Sequence, residues 1–447
     1  MKRPHVLLVN PWIHDFAAYD LWARPLGLLV MGTRLRKLGL DPILIDFVNA
    51  DHPELPSRKL KPDGRGPWPK TPIDKPKSLR HITRTFSRYG APPEVIQRDL
   101  LSLPKPRAIF VTSLMTYWYT GVKETISLLR MVFRDVPIVL GGVYATLMPD
   151  HARRACEPDY VWRGPAENGL EGLLGNHLGF QMDECNDSPN WELSPCLDLM
   201  SKVTFLPLLT SRGCPMRCSY CASRNLFPGF VARPASEVIG SVEEAVLRYD
   251  IQDVVVYDDA FLYDAPRRAI PILQECAQRF PHMRWHAPNG LHVRYITRDV
   301  AAAMKRAGFE TIRLGLESSA DLFHQQTGGK TLREEFLRAV TNLFDAGFTR
   351  ANVAAYLLVG LPNQTRAQVE DDVAFVMEAG VVPKLAEYSP IPGTGLWEVA
   401  VKKSIYAIEA EPLLHNCTLL PASEKEIDGV FLANLRRKIS KQLLLTV

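Results

Sequence analysis

No run in the 447 residues approaches the ~20 consecutive apolar positions that a bilayer-spanning helix needs, so no transmembrane segment is expected. The amino-terminal stretch MKRPHVLLVNPW pairs a basic start with an apolar run. That run is short, and Pro11 and Trp12 stand where a signal peptide would carry small residues for cleavage. It reads instead as a first buried strand, and the chain as cytoplasmic. Excess charge of one sign is also missing: 53 Lys and Arg face 49 Asp and Glu, a net +4 without a concentrated basic stripe. A nucleic-acid partner is therefore not indicated. Cysteine is sparse. Of eight, Cys156, Cys185, Cys196, Cys276 and Cys417 are scattered, too dispersed in a chain of this size for a disulfide framework. They read as small core residues. What is present, 46% apolar and 23% charged residues, is ordinary for a globular protein with a substantial core, and the length suggests two or three domains.

The first part reads as α/β. VLLVN, PILIDF, AIFVTS and PIVLGG are short apolar strands. PLGLLVMGTRLRKLG, closed by Gly39, and KETISLLRMVF carry helical spacing. Such alternation implies a parallel sheet covered on both faces, of flavodoxin or Rossmann type. Ligands of these sheets sit beyond the carboxyl ends of the strands, which singles out Asn10, Pro11, Thr112, Ser113, Gly141 and Gly142. One segment, 51–93, breaks the rhythm with proline and basic residues. Two readings stand for it: a solvated basic face, or a loop that covers a site or engages an anion. Trp68, Phe86 and Tyr89 imply that it packs against something.

A second α/β series begins near Thr204. FLPLLTS, DVVVYDDAF, MRWHAPNG, TIRLGLES, NVAAYLLVGLP and KLAEYSP alternate with helical stretches. Roughly six strand–helix units over ~190 residues fall short of the ~250 typical of an eight-fold barrel, so a partial (β/α)6 barrel is expected. SEKEIDGVFLANLRRKISKQLLL reads as a terminal helix with an apolar stripe. The expected division is an α/β domain over 1–170, a linker over 171–203, a barrel over 204–400 and a helical extension over 401–447.

Three cysteines lie in one loop, TSRGCPMRCSYCASRN, spaced Cys214-x3-Cys218-x2-Cys221 with no fourth nearby. Structural zinc sites and electron-transfer clusters normally close with four protein ligands. Three thiolates leave one iron of a cubane open to a substrate. A zinc knuckle or free thiols would be the plainer explanation of the spacing alone. The triplet, with Tyr220 before its third cysteine, resembles the signature of the radical S-adenosylmethionine superfamily. The resemblance extends over about two hundred residues downstream.

That resemblance implies a [4Fe–4S] cluster on Cys214, Cys218 and Cys221, with S-adenosylmethionine chelated at the open iron. Its reductive cleavage yields a 5′-deoxyadenosyl radical that abstracts hydrogen from a substrate. By the same resemblance Tyr220, Asp258, Asp259, Glu317 and Gly360 are expected to line the S-adenosylmethionine site: the acids at strand ends, and Gly360 in the YLLVGLP turn against adenine. Asp258 and Asp259 could equally cap the following helix, and Glu317 could be a solvated strand end. His286 and Arg294 are weaker candidates for substrate contact at the barrel mouth. No catalytic residue is assigned beyond the cluster ligands.

The first domain, over residues 4–170, resembles that of cobalamin-binding radical enzymes, among them methyltransferases and an anaerobic ring cyclase. RPLGLLVMGTRLRKLG, VTSLMTYWYTGV, VPIVLGGVYATLMPD and DYVWRGPAEN carry the likeness. Asn10, Pro11, Thr112, Ser113, Thr116, Tyr117, Gly141 and Gly142 are the implied cobalamin contacts, the glycines permitting close backbone approach. One departure stands out: cobalamin domains with an axial histidine use Asp-x-His-x-x-Gly, and His14 in LVNPWIHDFAAYD does not fit that spacing. Cobalamin would thus lack a protein histidine ligand; the other reading keeps the fold without the cofactor. The expected function is cobalamin-dependent methylation of an unactivated carbon. Its rivals are radical rearrangement, cyclisation or oxidation without methyl transfer, and a non-catalytic iron–sulfur or zinc redox module. A small-molecule substrate and an electron donor such as flavodoxin or ferredoxin are implied.

Overall fold

The computed structural model describes residues 3–56, 60–61, 65–166, 169–183 and 194–445. Cys185, and parts of the 51–93 and 171–203 segments and of DYVWRGPAEN, lie outside the described residues. The chain divides into two units, Met1–Val203 and Thr204–Val447.

In the first unit the chain runs β1 (His5–Asn10), β2 (Ile13–Asp15), α1 (Leu26–Lys37), β3 (Asp41–Asp46), β4 (Lys70–Pro72), β5 (Ser87–Tyr89) and α2 (Pro93–Ser102). It continues through β6 (Ala108–Val111), α3 (Tyr119–Val132), β7 (Ile138–Leu140), α4 (Val143–Leu147), α5 (Pro149–Cys156), β8 (Tyr160–Val161) and α6 (Leu170–Gly172). Five parallel strands form one sheet in the order β3-β1-β6-β7-β8, the flavodoxin arrangement. The central strands have apolar middles because both faces are covered, as a parallel sheet requires. Alternate residues feed two cores: Leu7, Val9, Ile109 and Val111 one, Val6, Leu8, Ala108 and Phe110 the other. Helix α1 ends on Arg34, Arg36 and Lys37, charges that suit a helix carboxyl terminus, and Gly39 at φ +77° releases the chain.

Within 51–93, β4 and β5 join β2 in a small antiparallel sheet ordered β2-β5-β4. Trp68 and Tyr89 pack with Ile13, Val48 and Ala50, and Phe86 is buried as well.

The second unit opens with β9 (Leu206–Leu208), β10 (Ser211–Gly213), α7 (Ser223–Leu226), β11 (Phe230–Ala232), α8 (Ala235–Tyr249), β12 (Asp253–Val256) and α9 (Ala269–Arg279). There follow β13 (Arg284–Leu291), α10 (Arg298–Arg306), β14 (Phe309–Glu317), α11 (Asp321–Thr327), α12 (Arg333–Asp345), β15 (Val353–Val359), α13 (Arg366–Glu378), β16 (Val382–Glu387), α14 (Trp397–Lys403) and α15 (Gly429–Leu445). Six parallel strands lie in sequential order from β9 to β16, a partial (β/α)6 barrel. FLPLLTS does not stay one strand. It splits into β9 and β10, and β10 pairs antiparallel with β11, so a two-stranded ribbon brackets the cysteine loop. The terminal helix starts later than its hydrophobic pattern, because Asp428 accepts the Phe431 N–H at 2.7 Å and caps it there.

The cysteines of the described residues are free; Cys156, Cys196 and Cys276 are buried. Among the described residues no helix is long and apolar enough to cross a membrane.

Candidate functional site

Cys214 follows the β10–β11 ribbon directly. Gly213 makes that exit possible: it has φ +77°, and a Cβ there would lie 2.1 Å from Gly229 O. The loop then turns tightly, Cys221 N–H bonding Cys218 O at 3.1 Å. It is held from two sides. Ser219 N–H donates to Thr327 O at 3.0 Å, and Ser219 O accepts from Leu396 N–H at 2.8 Å. Gly328, at φ +111°, packs so closely that a Cβ would stand 2.5 Å from Arg217 O. Asn225 ties the far end of the loop to Gly393 O at 2.8 Å.

Burial pushes the Cys214 thiol up to about 11, with Asp259 and the neighbouring cysteines adding to the rise. Burial raises Cys218 too, opposed by the nearby Lys330 charge. Cys221 is exposed. Among the described residues no three His, Cys, Asp or Glu side chains converge as a single-ion site would demand. A cubane instead spreads its thiolates over three irons, and the thiolate donor set of this loop is of the kind such clusters use.

The two adjacent aspartates after β12 differ. Asp258 is 3% exposed and accepts from Thr210 N–H at 2.9 Å, the Thr210 hydroxyl at 2.6 Å and the Ser211 hydroxyl at 2.5 Å. Its carboxylate is used up fastening the start of the ribbon. Asp259 is solvent-exposed yet set among enough protein atoms to raise its pKa, with the Ser223 hydroxyl and the Arg212 charge opposing the rise.

Glu317 closes β14 in a left-handed conformation, φ +65°, at an irregularity in the pairing with β15. Such strain in a non-glycine residue is stored where surrounding structure over-determines it. Glu317 is 7% exposed; its Oε1 accepts from Lys330 Nζ at 2.7 Å while Oε2 has no partner. Burial alone would lower the Lys330 pKa, but Glu317 and the Cys218 sulfur hold it above the ordinary value. Lys330 went unnoticed in the sequence, where its only signal is a basic residue after two glycines. Below this pair, Asp372 of α13 accepts from the Ser318 and Ser319 hydroxyls at 3.1 and 2.7 Å.

Tyr220 stacks on Phe323 with ring centroids 6.1 Å apart, its buried hydroxyl beside Cys218, and burial raises its pKa. Gly360 follows β15 directly. Its N–H donates to Gln364 at 2.8 Å, and a Cβ on it would meet Leu420 at 3.0 Å. Of the two weaker candidates, His286 is overturned by its position. His286 is 1% exposed and bonded to Asp253 at 2.9 Å and Thr311 at 3.1 Å, near the amino end of β13 rather than at the mouth. Arg294 pairs with Glu335 at 2.9 Å and donates to Gly329 O at 2.8 Å, so it braces the loop carrying Lys330.

In the first unit, the carboxyl ends of β1, β6 and β7 bring Asn10, Thr112, Ser113, Gly141 and Gly142 to one edge. Asn10 donates to Asp46 at 2.7 Å, and burial raises the Asp46 pKa against that bond. Ser113 donates to Gly141 O at 2.6 Å. Gly142 has φ +91°, and a Cβ would strike Ser113 O at 2.3 Å. Pro11, Thr116 and Tyr117 are buried around this edge. Leu114 and Met115, 49% and 45% exposed, offer an apolar surface that the sequence did not single out. His14 is committed elsewhere: Nδ1 meets the Thr120 hydroxyl at 3.2 Å and Nε2 lies 2.8 Å from Glu124. A glycine cradle beside exposed apolar side chains, with no free histidine from this loop, fits a flat macrocycle bound without His14. A cavity of ≈ 460 Å³ runs beside β3, lined among others by Asp46, His52, Trp68, Asp99 and Ser201, so the 51–93 segment contributes Asp51, His52 and Trp68 to a pocket wall.

Residues 208–376 match the radical SAM superfamily, and residues 87–174 match the B12 binding domain. The chain thus carries a radical SAM domain and a B12-binding domain. It is an enzyme, and its cofactors are the [4Fe–4S] cluster and S-adenosylmethionine of the one domain and the cobalamin of the other. A non-catalytic redox module is thereby disfavoured. An uncharacterised methyltransferase of Pyrococcus horikoshii is 26% identical over 324 residues, 66% of this chain and 68% of the relative. The anaerobic magnesium-protoporphyrin IX monomethyl ester cyclase of Rubrivivax gelatinosus is 23% identical over 353 residues, 70% and 62% of the two chains. In fold, the chain is similar to the radical S-adenosylmethionine methyltransferase TsrM from Kitasatospora setae, solved with cobalamin and a [4Fe–4S] cluster: TM-score 0.64, 16% identity, 90% of this chain and 75% of that one. It is also similar to the cobalamin-dependent radical enzyme OxsB, at TM-score 0.60 and 14% identity over 99% and 62%.

Proposed function

We propose that this radical enzyme reductively cleaves S-adenosylmethionine and transfers a methyl group, by way of cobalamin, to an unactivated carbon of a small molecule. The observation that carries the reading is a three-thiol loop clamped beside a buried Lys330–Glu317 pair, in a chain with a B12-binding domain. When bound, the cofactors supply the electron, the radical and the methyl group.

The chain's residues do the holding. Cys214, Cys218 and Cys221 take the cluster. Lys330 offers a cation and Glu317 Oε2 an unpartnered anion, a pair suited to the carboxylate and ammonium of an amino acid. Asp259 adds a second anion near Cys214, and Tyr220 an aromatic wall. Asp258, satisfied within the protein, acts by positioning the ribbon, and Gly360 shapes the turn after β15. Asn10, Pro11, Thr112, Ser113, Thr116, Tyr117, Gly141 and Gly142 form the cobalamin edge. The proposed setting is the cytoplasm, with flavodoxin or ferredoxin as reductant.

A second reading, radical chemistry without methyl transfer, draws on the likeness to the cyclase. Product analysis separates the two. Methyl transfer yields S-adenosylhomocysteine together with 5′-deoxyadenosine, whereas 5′-deoxyadenosine alone supports the second reading. A reconstituted chain that holds about four irons and forms neither product under reducing conditions would sink both.

A further inference from the structure

The loop carries a hydrogen bond that the chemistry above does not use. Ser223 sits two residues beyond Cys221, at the start of α7, with its hydroxyl 3.2 Å and its backbone N–H 3.5 Å from the Cys221 sulfur. We infer that Ser223 is a positioning residue for the cluster, its hydroxyl donating to the Cys221 sulfur and raising the reduction potential of the [4Fe–4S] centre. This rests on the reading of the three cysteines as cluster ligands.

The direction of the bond follows from the ligand. A thiol and a hydroxyl can each donate to the other, but an iron-bound thiolate has no proton left, so in this contact the hydroxyl is the donor, and the sulfur competes with Asp259 for its one proton. Donation withdraws negative charge from sulfur and favours the more negative, reduced cluster; such bonds are among the levers that set cluster potentials. The three sulfurs have different neighbours here. Cys218 lies beside the Lys330 charge and the hydroxyl of Tyr220, whose ring is the proposed aromatic wall; Cys214 lies beside the Met216 N–H, and exposed Cys221 has Ser223. Among these, the Ser223 hydroxyl is the group that can be removed without touching a buried ion pair or the backbone; Asp259 loses its contact with that hydroxyl too, which is why the titration is run without S-adenosylmethionine.

The full-length chain, reconstituted anaerobically and kept free of S-adenosylmethionine, is titrated against potential with the reduced cluster read by electron paramagnetic resonance. S223A should be harder to reduce: at a fixed potential its reduced-to-oxidised ratio should fall about tenfold, equivalent to about 59 mV for one electron. S223T, which keeps the hydroxyl, should match wild type. Should S223A hold too little iron, S223V compared with S223T repeats the test at matched volume. Equal potentials with and without the hydroxyl overturn the inference. If neither hydroxyl-free variant retains iron, proton double resonance on the wild type decides. An exchangeable hydroxyl coupling beside the amide coupling supports the bond; an amide coupling alone, the hydroxyl serving Asp259, overturns it. A wild type that binds no four-iron cluster defeats the proposed function instead, so the two failures are distinct.

Discussion

Lys330 and Glu317 are each about nine-tenths buried and 2.7 Å apart, and that isolation makes their pairing consequential. Removing one partner of a buried pair strands the other in low dielectric, at a cost of about 3–5 kcal/mol. K330M should therefore lower the thermal midpoint and weaken S-adenosylmethionine binding at least tenfold, measured by calorimetry and equilibrium dialysis; unchanged affinity would remove Lys330 from the site. Asp253 makes the opposite case, a buried charge with a structural task at the amino ends of the strands. Burial works against its ionisation, but the bonds from His286 and Arg284 outweigh burial and hold its pKa below the ordinary value of 3.8. A depressed carboxylate contributes stability that is present above its unfolded pKa and lost as pH falls through the folded one. D253N should cost about 2 kcal/mol at pH 7. Its deficit against wild type should shrink as pH drops below 3.8, followed by urea unfolding through the fluorescence of buried Trp285. The contrast also shows what a sequence conveys at this scale. The cysteine spacing is local, so the loop was legible. Lys330 is thirteen positions from its partner, and neighbours Asp258 and Asp259 look alike in sequence although one is consumed by Thr210 and Ser211 and the other is exposed.

Among elements, strands β1, β6 and β7 were readable because parallel strands buried on both faces leave continuous apolar runs, and edge strand β3, half-buried, keeps a shorter apolar run between Asp41 and Asp46. The β10–β11 ribbon was not. Ser211–Gly213 and Phe230–Ala232 carry little hydrophobic pattern, and their pairing depends on a glycine exit at Gly213 that only the folded backbone reveals. The antiparallel sheet within 51–93 was hidden for a similar reason: proline and basic residues dominate it, and its order comes from burying Trp68 and Tyr89. Short glycine contacts of this kind can be tested directly. At Gly328 a methyl group meets both an unfavourable φ of +111° and the Arg217 carbonyl at 2.5 Å. Left-handed strain costs on the order of 1–3 kcal/mol, and here relief would come by pushing α11 away from the cysteine loop. G328A should fold yet bind less iron per chain than wild type, as iron analysis after reconstitution would show. Full iron loading would mean that the contact is slack.

For the whole molecule, each unit has its own parallel sheet and its own candidate cofactor residues, so damage to one should leave loading of the other intact. Gly142 supplies the first lever: its φ of +91° and the 2.3 Å approach to Ser113 O leave no room for a side chain at the glycine edge. Cys218 supplies the second, a thiol with no role in the sheets. G142A should lose cobalamin, read from the absorption of the purified chain, while keeping its iron. C218A should lose the cluster and all formation of 5′-deoxyadenosine while keeping cobalamin. Loss of both cofactors from either variant would mean that the two sites fold as one, against the division of the chain at Val203 and Thr204. If each variant loses one cofactor only, neither should form methylated product, because methyl transfer draws on both sites; a methylated product from G142A without bound cobalamin would contradict the proposed reaction.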